Sequence, residues 1–155
     1  MNRLTPQEAR QKILRYCAYQ ERSHYQVRHK LYALGLSTSD VNEMLTFLIE
    51  EGFLSEERFA RAFAGGKFRM KRWGRLKIVR ELERHKLTGN CIRIGLKEIT
   101  DEAYQQTLGE LIAQKIKQID ESNVYSKRNR IAKYAIQKGF EPELVWIEVK
   151  ELLPD

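Results

Sequence analysis

At 155 residues the chain has the length of one compact domain or a short repeat array, and a hydrophobic content of 42% is enough for a core. No run of about 18 apolar residues occurs, so no membrane span is expected. The N-terminal stretch "MNRLTPQEAR" has no apolar leader core, so a signal peptide is not expected either and the cytoplasm is the expected location.

The formal net charge is +7, but it is not spread evenly. Residues 67–86, "KFRMKRWGRLKIVRELERHK", hold nine Lys or Arg and two Glu, so this stretch alone carries the whole surplus. The flanking segments are almost neutral. Clustered positive charge of this kind is the footprint of a polyanion or of an acidic protein surface. Cys17 and Cys91 lie far apart, with no CxxC pair. In a reducing compartment both are expected to be small buried hydrophobes rather than a disulfide.

In chain order, Thr5-Pro6-Gln7-Glu8 offers an N-cap, a proline at the first helical position and a Glu two residues on, and predicts a helix from Pro6 to Tyr19. The apolar spacing predicts helices at 23–34 and 37–51, then one from Glu56 to Ala64 or beyond. Gly65-Gly66 suggests a break between helices. Lys67, Arg69, Lys71, Arg72 and Arg75 would then precede or open the next helix, with Lys77, Arg80 and Arg84 along it. A further helix is expected from Asp101 to Ile119. No stretch alternates β-branched residues as a strand would. The fold class is therefore all-α.

The chain also repeats. Val27, Leu31, Leu36, Val41, Leu45 and Leu48 correspond, 51 positions on, to Ile78, Leu82, Leu87, Ile92, Leu96 and Ile99. A further shift reaches Ile131, Ala135, Phe140, Val145, Val149 and Leu152. All are apolar. Ser37, Thr88 and Glu141 share a frame where the last helix of each unit should start. Ser and Thr there can cap free N–H groups, and Pro142 marks the same boundary after Glu141. Ser23 and Gly74 share a second frame, with Ser126 one residue off it. Gly35 and Gly139 match as helix-ending glycines. Lys86 stands in the middle unit's equivalent position, so a different turn is expected there. Three tandem three-helix repeats follow, at 1–52, 53–100 and 101–155, in an elongated, modular arrangement.

The residues "EEGFLSEERFARAF", Glu50 to Phe63, followed by the basic stretch and then "GRLKIVREL", Gly74 to Leu82, resemble the RecX family of bacterial RecA regulators. Ser23, Val27, Lys30, Leu31 and Gly35 follow that family's first-repeat pattern. Gly52, Phe53, Leu54, Arg58, Phe59 and Ala60 follow its turn-and-helix signature, with Glu56 and Glu57 where an aspartate pair is usual. Gly74, Ile78, Glu81 and Leu82 follow the next helix, and Lys86 departs from a common glycine. The resemblance runs from about Ala9 to Leu153. It implies three tandem three-helix repeats and a protein that binds the RecA nucleoprotein filament along its groove, damping its ATPase and strand exchange.

Three partners suit the basic stretch. DNA phosphate would be neutralised by Lys67, Arg69, Lys71, Arg72 and Arg75 with release of counterions, without base readout. Trp73 among them would either anchor the turn or stack on an unpaired base. An acidic protein surface would favour the arginines. A membrane surface is disfavoured, because Phe68, Met70 and Trp73 form no long apolar face. The bland alternative is a solvated helix face, with Glu81 pairing to Lys77 or Arg84. A second acid-free group, Lys127, Arg128, Arg130, Lys133 and Lys138, occupies the third repeat at a similar place, and the two groups are expected to share one face.

No catalytic constellation stands out. His24, His29 and His85 lack metal-binding spacing and are expected on exposed helix faces. No GxxxxGK[ST] loop is present for nucleotide binding. The sequence reads as a monomeric binding protein without cofactor, acting on a RecA filament, on DNA of either strandedness, or on both, and not as an enzyme.

Overall fold

The structure is a computed structural model that describes residues 4–155, so the first three residues of repeat 1 and of the N-terminal stretch lie outside it. Among the described residues the secondary structure is entirely helical. In chain order come α1 (Pro6–Tyr19), α2 (His24–Ala33), α3 (Thr38–Glu50), α4 (Glu56–Lys71), α5 (Arg75–Arg84), α6 (Gly89–Leu96), α7 (Asp101–Gln118), α8 (Val124–Gln137) and α9 (Pro142–Leu152).

Helix starts follow side-chain chemistry. Thr5 accepts from the Glu8 N–H, and Ser37 from the Asp40 N–H. Ser23 and Gln26 form a reciprocal capping box at α2. Thr88 Oγ1 accepts from the Cys91 N–H at 3.2 Å, as the shared frame predicts. Each such cap contributes about 1 kcal/mol. α8 starts earlier than expected: Asn123 accepts from the Ser126 N–H at 3.0 Å, so Ser126 lies inside the first turn rather than before it.

The repeated apolar frame is the buried frame. Of its eighteen positions only Leu96, half-buried, and Leu152, exposed, fall outside the core. Removing a ring such as Phe140, fully buried, would cost about 3–5 kcal/mol.

Two expectations about backbone are corrected. α4 does not break at Gly65-Gly66 but continues to Lys71. Two helical glycines cost about 1 kcal/mol each against alanine. Burial of Phe59, Ala60, Ala64 and Phe68 along one face of the same helix outweighs that. The turn at Lys86 does not differ from its counterparts either. Lys86 adopts φ 63°, beside φ 91° at Gly35 and 103° at Gly139. Its N–H reaches Glu83 O, and the Leu87 N–H reaches Leu82 O at 3.3 Å. The Leu36 and Phe140 N–H groups make the same backward bond to Leu31 O and Ala135 O at 3.3 Å. A lysine here takes on the left-handed conformation that glycine adopts freely, because the apolar residue after it must enter the core.

Cys17 and Cys91 are half-buried rather than buried. His29 is exposed, but His24 and His85 are not. His24 Nδ1 lies 2.8 Å from Glu56 Oε1, and His85 Nδ1 lies 2.9 Å from the buried Ser23 hydroxyl. Both rings sit where helices meet, which apolar spacing alone does not reveal.

The helices pack as two compact units. One comprises the described part of Met1–Ala62 with Leu82–Gly95, and the other comprises Phe63–Glu81 with Leu96–Asp155. In the first, α1, α2 and α3 enclose Ile13, Val27, Leu31, Val41 and Leu48. There α6 also crosses α4 closely: a Cβ on Gly95 would lie 2.7 Å from Ala60 O. In the second, α7, α8 and α9 pack pairwise, and Phe68, Tyr104 and Phe140 form an aromatic column, the last two stacked at 5.0 Å.

Candidate polyanion-binding surface

Most of the predicted basic residues fall in the second unit. Lys67, Arg69 and Lys71 occupy the last two turns of α4 rather than a connector, a consequence of the helix running through Gly65-Gly66. Arg72 then takes φ 54°, and the Trp73 N–H bonds back to Lys67 O at 3.2 Å. This closes α4 and turns the chain into α5. Trp73 is half-buried, edge-on to Phe63 at 6.3 Å. The Lys67 and Lys77 ammonium groups lie 5.0 and 4.4 Å from its ring centroid. The indole thus anchors the turn and draws two cations together over its π-system.

Gly74 seats this turn. Its N–H donates to Lys138 O at 2.8 Å, and the Leu76 N–H donates to Gly139 O at 3.0 Å. A Cβ on Gly74 would overlap the Gly139 carbonyl carbon and the Phe140 nitrogen. The start of α5 is therefore held directly against the end of α8. The Lys138 ammonium donates to Lys71 O at 2.6 Å, at the carbonyl end of α4 where positive charge is favourable. Burial, then the neighbouring charges of Lys77, Arg72 and Lys71, hold the Lys138 ammonium below the usual lysine range. Four cations, from α4, α5, the turn between them and the C-cap of α8, therefore converge.

Other predicted site residues are engaged inside the protein. Arg75 is three-quarters buried; its guanidinium meets Asp101 Oδ1 at 2.8 Å and Ile99 O at 3.3 Å, 4.1 Å from the Tyr104 ring centroid. Arg72 comes within 3.8 Å of Glu110 Oε2. Arg128 is turned toward the chain end, donating to Leu153 O at 2.8 Å and pairing with Asp155 Oδ1 at 2.7 Å. Arg84 belongs to the first unit and has partners of its own. Arg69, Arg80, Arg130 and Lys133 are exposed, and Lys127 is half-buried. Of the second basic group, Lys138 is the member that joins Lys71, Arg72 and Lys77.

Sequence reasoning missed the support beneath this surface. The Tyr104 hydroxyl accepts from the Arg75 N–H at 2.9 Å and donates to Glu141. Burial and that bond to Glu141 hold the hydroxyl well above the usual phenol range. Nothing in the local spacing of Tyr104 or Glu141 signals this, because the three residues lie on separate helices.

Fold and surface together define an all-helical protein of tandem three-helix domains that presents a cationic surface. The sequence profile described as RecX, first three-helix domain, matches residues 9–48, and that of RecX, second three-helix domain, matches residues 55–96. The chain belongs to the RecX family. A Regulatory protein RecX from Lactobacillus johnsonii is 27% identical over 144 residues, covering 93% of this chain and 53% of that protein. Another, from Geobacillus kaustophilus, is 26% identical over 138 residues, 89% of this chain and 51% of that protein. The chain therefore spans about half the length of these curated relatives. The crystal structure of RecX from Lactobacillus salivarius superposes with a TM-score of 0.84 at 20% identity, over 95% of this chain and 96% of that one. A second crystal structure of a regulatory protein RecX gives 0.82 at 17% identity, over 96% of this chain and 72% of that one. Similarity at that level of identity is a similarity of fold. Among the described residues no helix is long and apolar enough to cross a membrane, and no group of three or more His, Cys, Asp or Glu is placed to hold a metal ion.

Proposed function

We propose that this chain is a regulator of RecA recombinase that binds the RecA–DNA filament in its groove and inhibits ATP turnover and strand exchange. It acts by occupancy and not as an enzyme. The three repeats, 1–52, 53–100 and 101–155, supply successive weak contacts whose linkage gives avidity. Family membership supports RecA as the partner. The observation that carries the reading is the gathering of Lys71, Arg72, Lys77 and Lys138, with the Lys138 ammonium seated on Lys71 O at 2.6 Å and held below the usual lysine range by burial and then by the other three charges. Mutually repelling cations gathered on a rigid support favour a polyanionic partner, whether phosphate or the acidic surface of a filament subunit. Lys67, Arg69, Arg80, Lys127, Arg130 and Lys133 extend the surface available to it. Arg75 acts as its internal brace, while Arg128 is engaged at the chain end.

The test is the single-strand-dependent ATPase of RecA, titrated with this chain far below one copy per RecA. Strong inhibition at that ratio is expected, with loss of inhibition in the folded variant Arg69→Glu/Lys71→Glu/Lys77→Glu, which leaves the Arg75 ion pair intact. Inhibition that begins only as the DNA lattice saturates would instead identify a sequence-independent DNA-binding protein acting without RecA. Full inhibition by the triple variant would remove this surface from the mechanism.

A further inference from the structure

The first unit carries a second cationic surface that the concentration of charge at residues 67–86 hides. On α1, Lys12, Arg15, Tyr16 and Tyr19 recur at helical spacing and so share one face. The chain leaving α1 brings Arg22 back over that face, its guanidinium 3.7 Å from the Tyr16 ring centroid and 5.8 Å from that of Tyr19. Arg22 Nε donates to Tyr16 O at 3.0 Å, which fixes the stack. From α2, Lys30 reaches to 5.6 Å from the Tyr16 ring. Together these residues line an open groove of about 410 Å³ with Leu34 in its lining and no carboxylate. The nearest acid in sequence, Glu21, is drawn off by Arg58 Nε at 3.0 Å.

We infer that this groove, built on Tyr19, Arg22, Lys12, Arg15 and Lys30, is a binding site for single-stranded nucleic acid, in which an unpaired base stacks on Tyr19 beside the Arg22–Tyr16 stack. Two features select that ligand. Four cations without a carboxylate match a phosphate backbone. Tyr19 is 81% exposed at the rim, a flat π-face with little of the protein packed on it. An acidic protein surface would use the cations but has no need of that ring. A duplex keeps its bases stacked inside and would not reach it. Arg22, held 3.7 Å from the centre of the Tyr16 ring, offers a second planar group that a base can meet. The site is separate in residues from the α4–α5 surface and requires nothing of RecA.

The experiment uses the full chain, a fluorescein-labelled oligo-thymidylate and the matching duplex, with no RecA present. Tyr19→Ala is expected to weaken single-strand binding by about tenfold and to leave duplex binding unchanged. Tyr19→Trp is expected to restore it. Lys12→Gln/Arg15→Gln should lower the log–log salt slope for the single strand by about 0.7 per contact removed. An oligonucleotide carrying 5-iodouracil should photo-crosslink to Tyr19, located by mass spectrometry. Because Tyr19 is exposed, the variants should retain the wild-type melting curve. Equal single-strand affinity in Tyr19→Ala, or equal losses for single strand and duplex, would overturn the inference. So would a Tyr19→Ala variant that binds oligo-thymidylate normally but loses an acidic protein partner. RecA inhibition is not a readout here, so failure of this site leaves the filament reading untouched.

Discussion

The Tyr104 hydroxyl joins Glu141 to Arg75: it donates to the Glu141 carboxylate and accepts from the Arg75 N–H at 2.9 Å. Glu141 is the N-cap residue of α9 but makes no side-chain cap bond. Its carboxylate is turned to Tyr104 instead, and Pro142, which has no N–H, leaves one fewer unpaired donor in the first turn of α9. Tyr104→Phe leaves the Arg75 N–H and a half-buried carboxylate oxygen without this partner. A loss of about 1–3 kcal/mol in urea unfolding is expected, with the aromatic packing retained.

Burial of the Tyr104 hydroxyl, and then its bond to Glu141, set an alkaline dependence. Folding raises the Tyr104 phenol above its ordinary value, so the fold favours the protonated form. Its contribution is complete below about pH 10, the phenol's ordinary value, and is lost as pH rises toward the folded value. The urea midpoint of the wild type should therefore fall more steeply above that point than that of Tyr104→Phe. The two curves should converge as the hydroxyl ionises; parallel curves would place the bond elsewhere in the energetics.

Gly74→Ala and Gly66→Ala should act in opposite directions. A Cβ at Gly74 overlaps the backbone of Gly139 and Phe140, which cannot move without unseating α5 from α8. A Cβ at the helical Gly66 meets nothing within 4 Å. The first change is expected to destabilise the protein by about 3 kcal/mol, as backbone clashes in packed regions do. The second should stabilise it by about 0.5–1 kcal/mol, the helix-propensity difference. Thermal melts of both variants decide the matter.

Lys86→Gly relieves a lysine of φ 63° in a turn that two glycines make elsewhere. The gain in the folded state, about 1–2 kcal/mol, is partly offset by about 0.5–1 kcal/mol of added freedom in the unfolded chain. A small net rise in melting temperature is expected. If the proposed RecA inhibition is present and weakens at the same time, the lysine is held in that conformation for its charge.

Lys77→Gln should raise the Lys138 ammonium pKa part of the way toward the ordinary lysine value. Burial is the larger cause of the depression and remains, while the strongest of the charge repulsions, that from Lys77, is removed. Titration of the Lys138 side-chain resonances by NMR in the two proteins reads this directly. No change would mean the four cations do not share one electrostatic environment.

Helix starts, the buried frame and the repeat were legible in the sequence because their causes are local. A Ser, Thr or Asn three residues before a free N–H, and apolar residues one turn apart, act within a single helix. That is why Thr5, Ser37 and Thr88 cap where expected and why the repeated frame marks the core. The charge of residues 67–86 was equally legible, since it needs only counting. Tertiary structure alone decided how that charge is arranged. It carried α4 through Gly65-Gly66, because distant residues bury its apolar face. It set Gly74 against Gly139, turned Arg75 inward to Asp101 and Tyr104, and brought Lys138 to Lys71 and Lys77. It also folded Arg22 back on Tyr16, making a groove from cations of α1, α2 and the turn between them, a surplus that the acids of residues 40–57 mask when the first 66 residues are counted together. Contacts between separate helices depend on packing in three dimensions and leave no periodic trace along the chain.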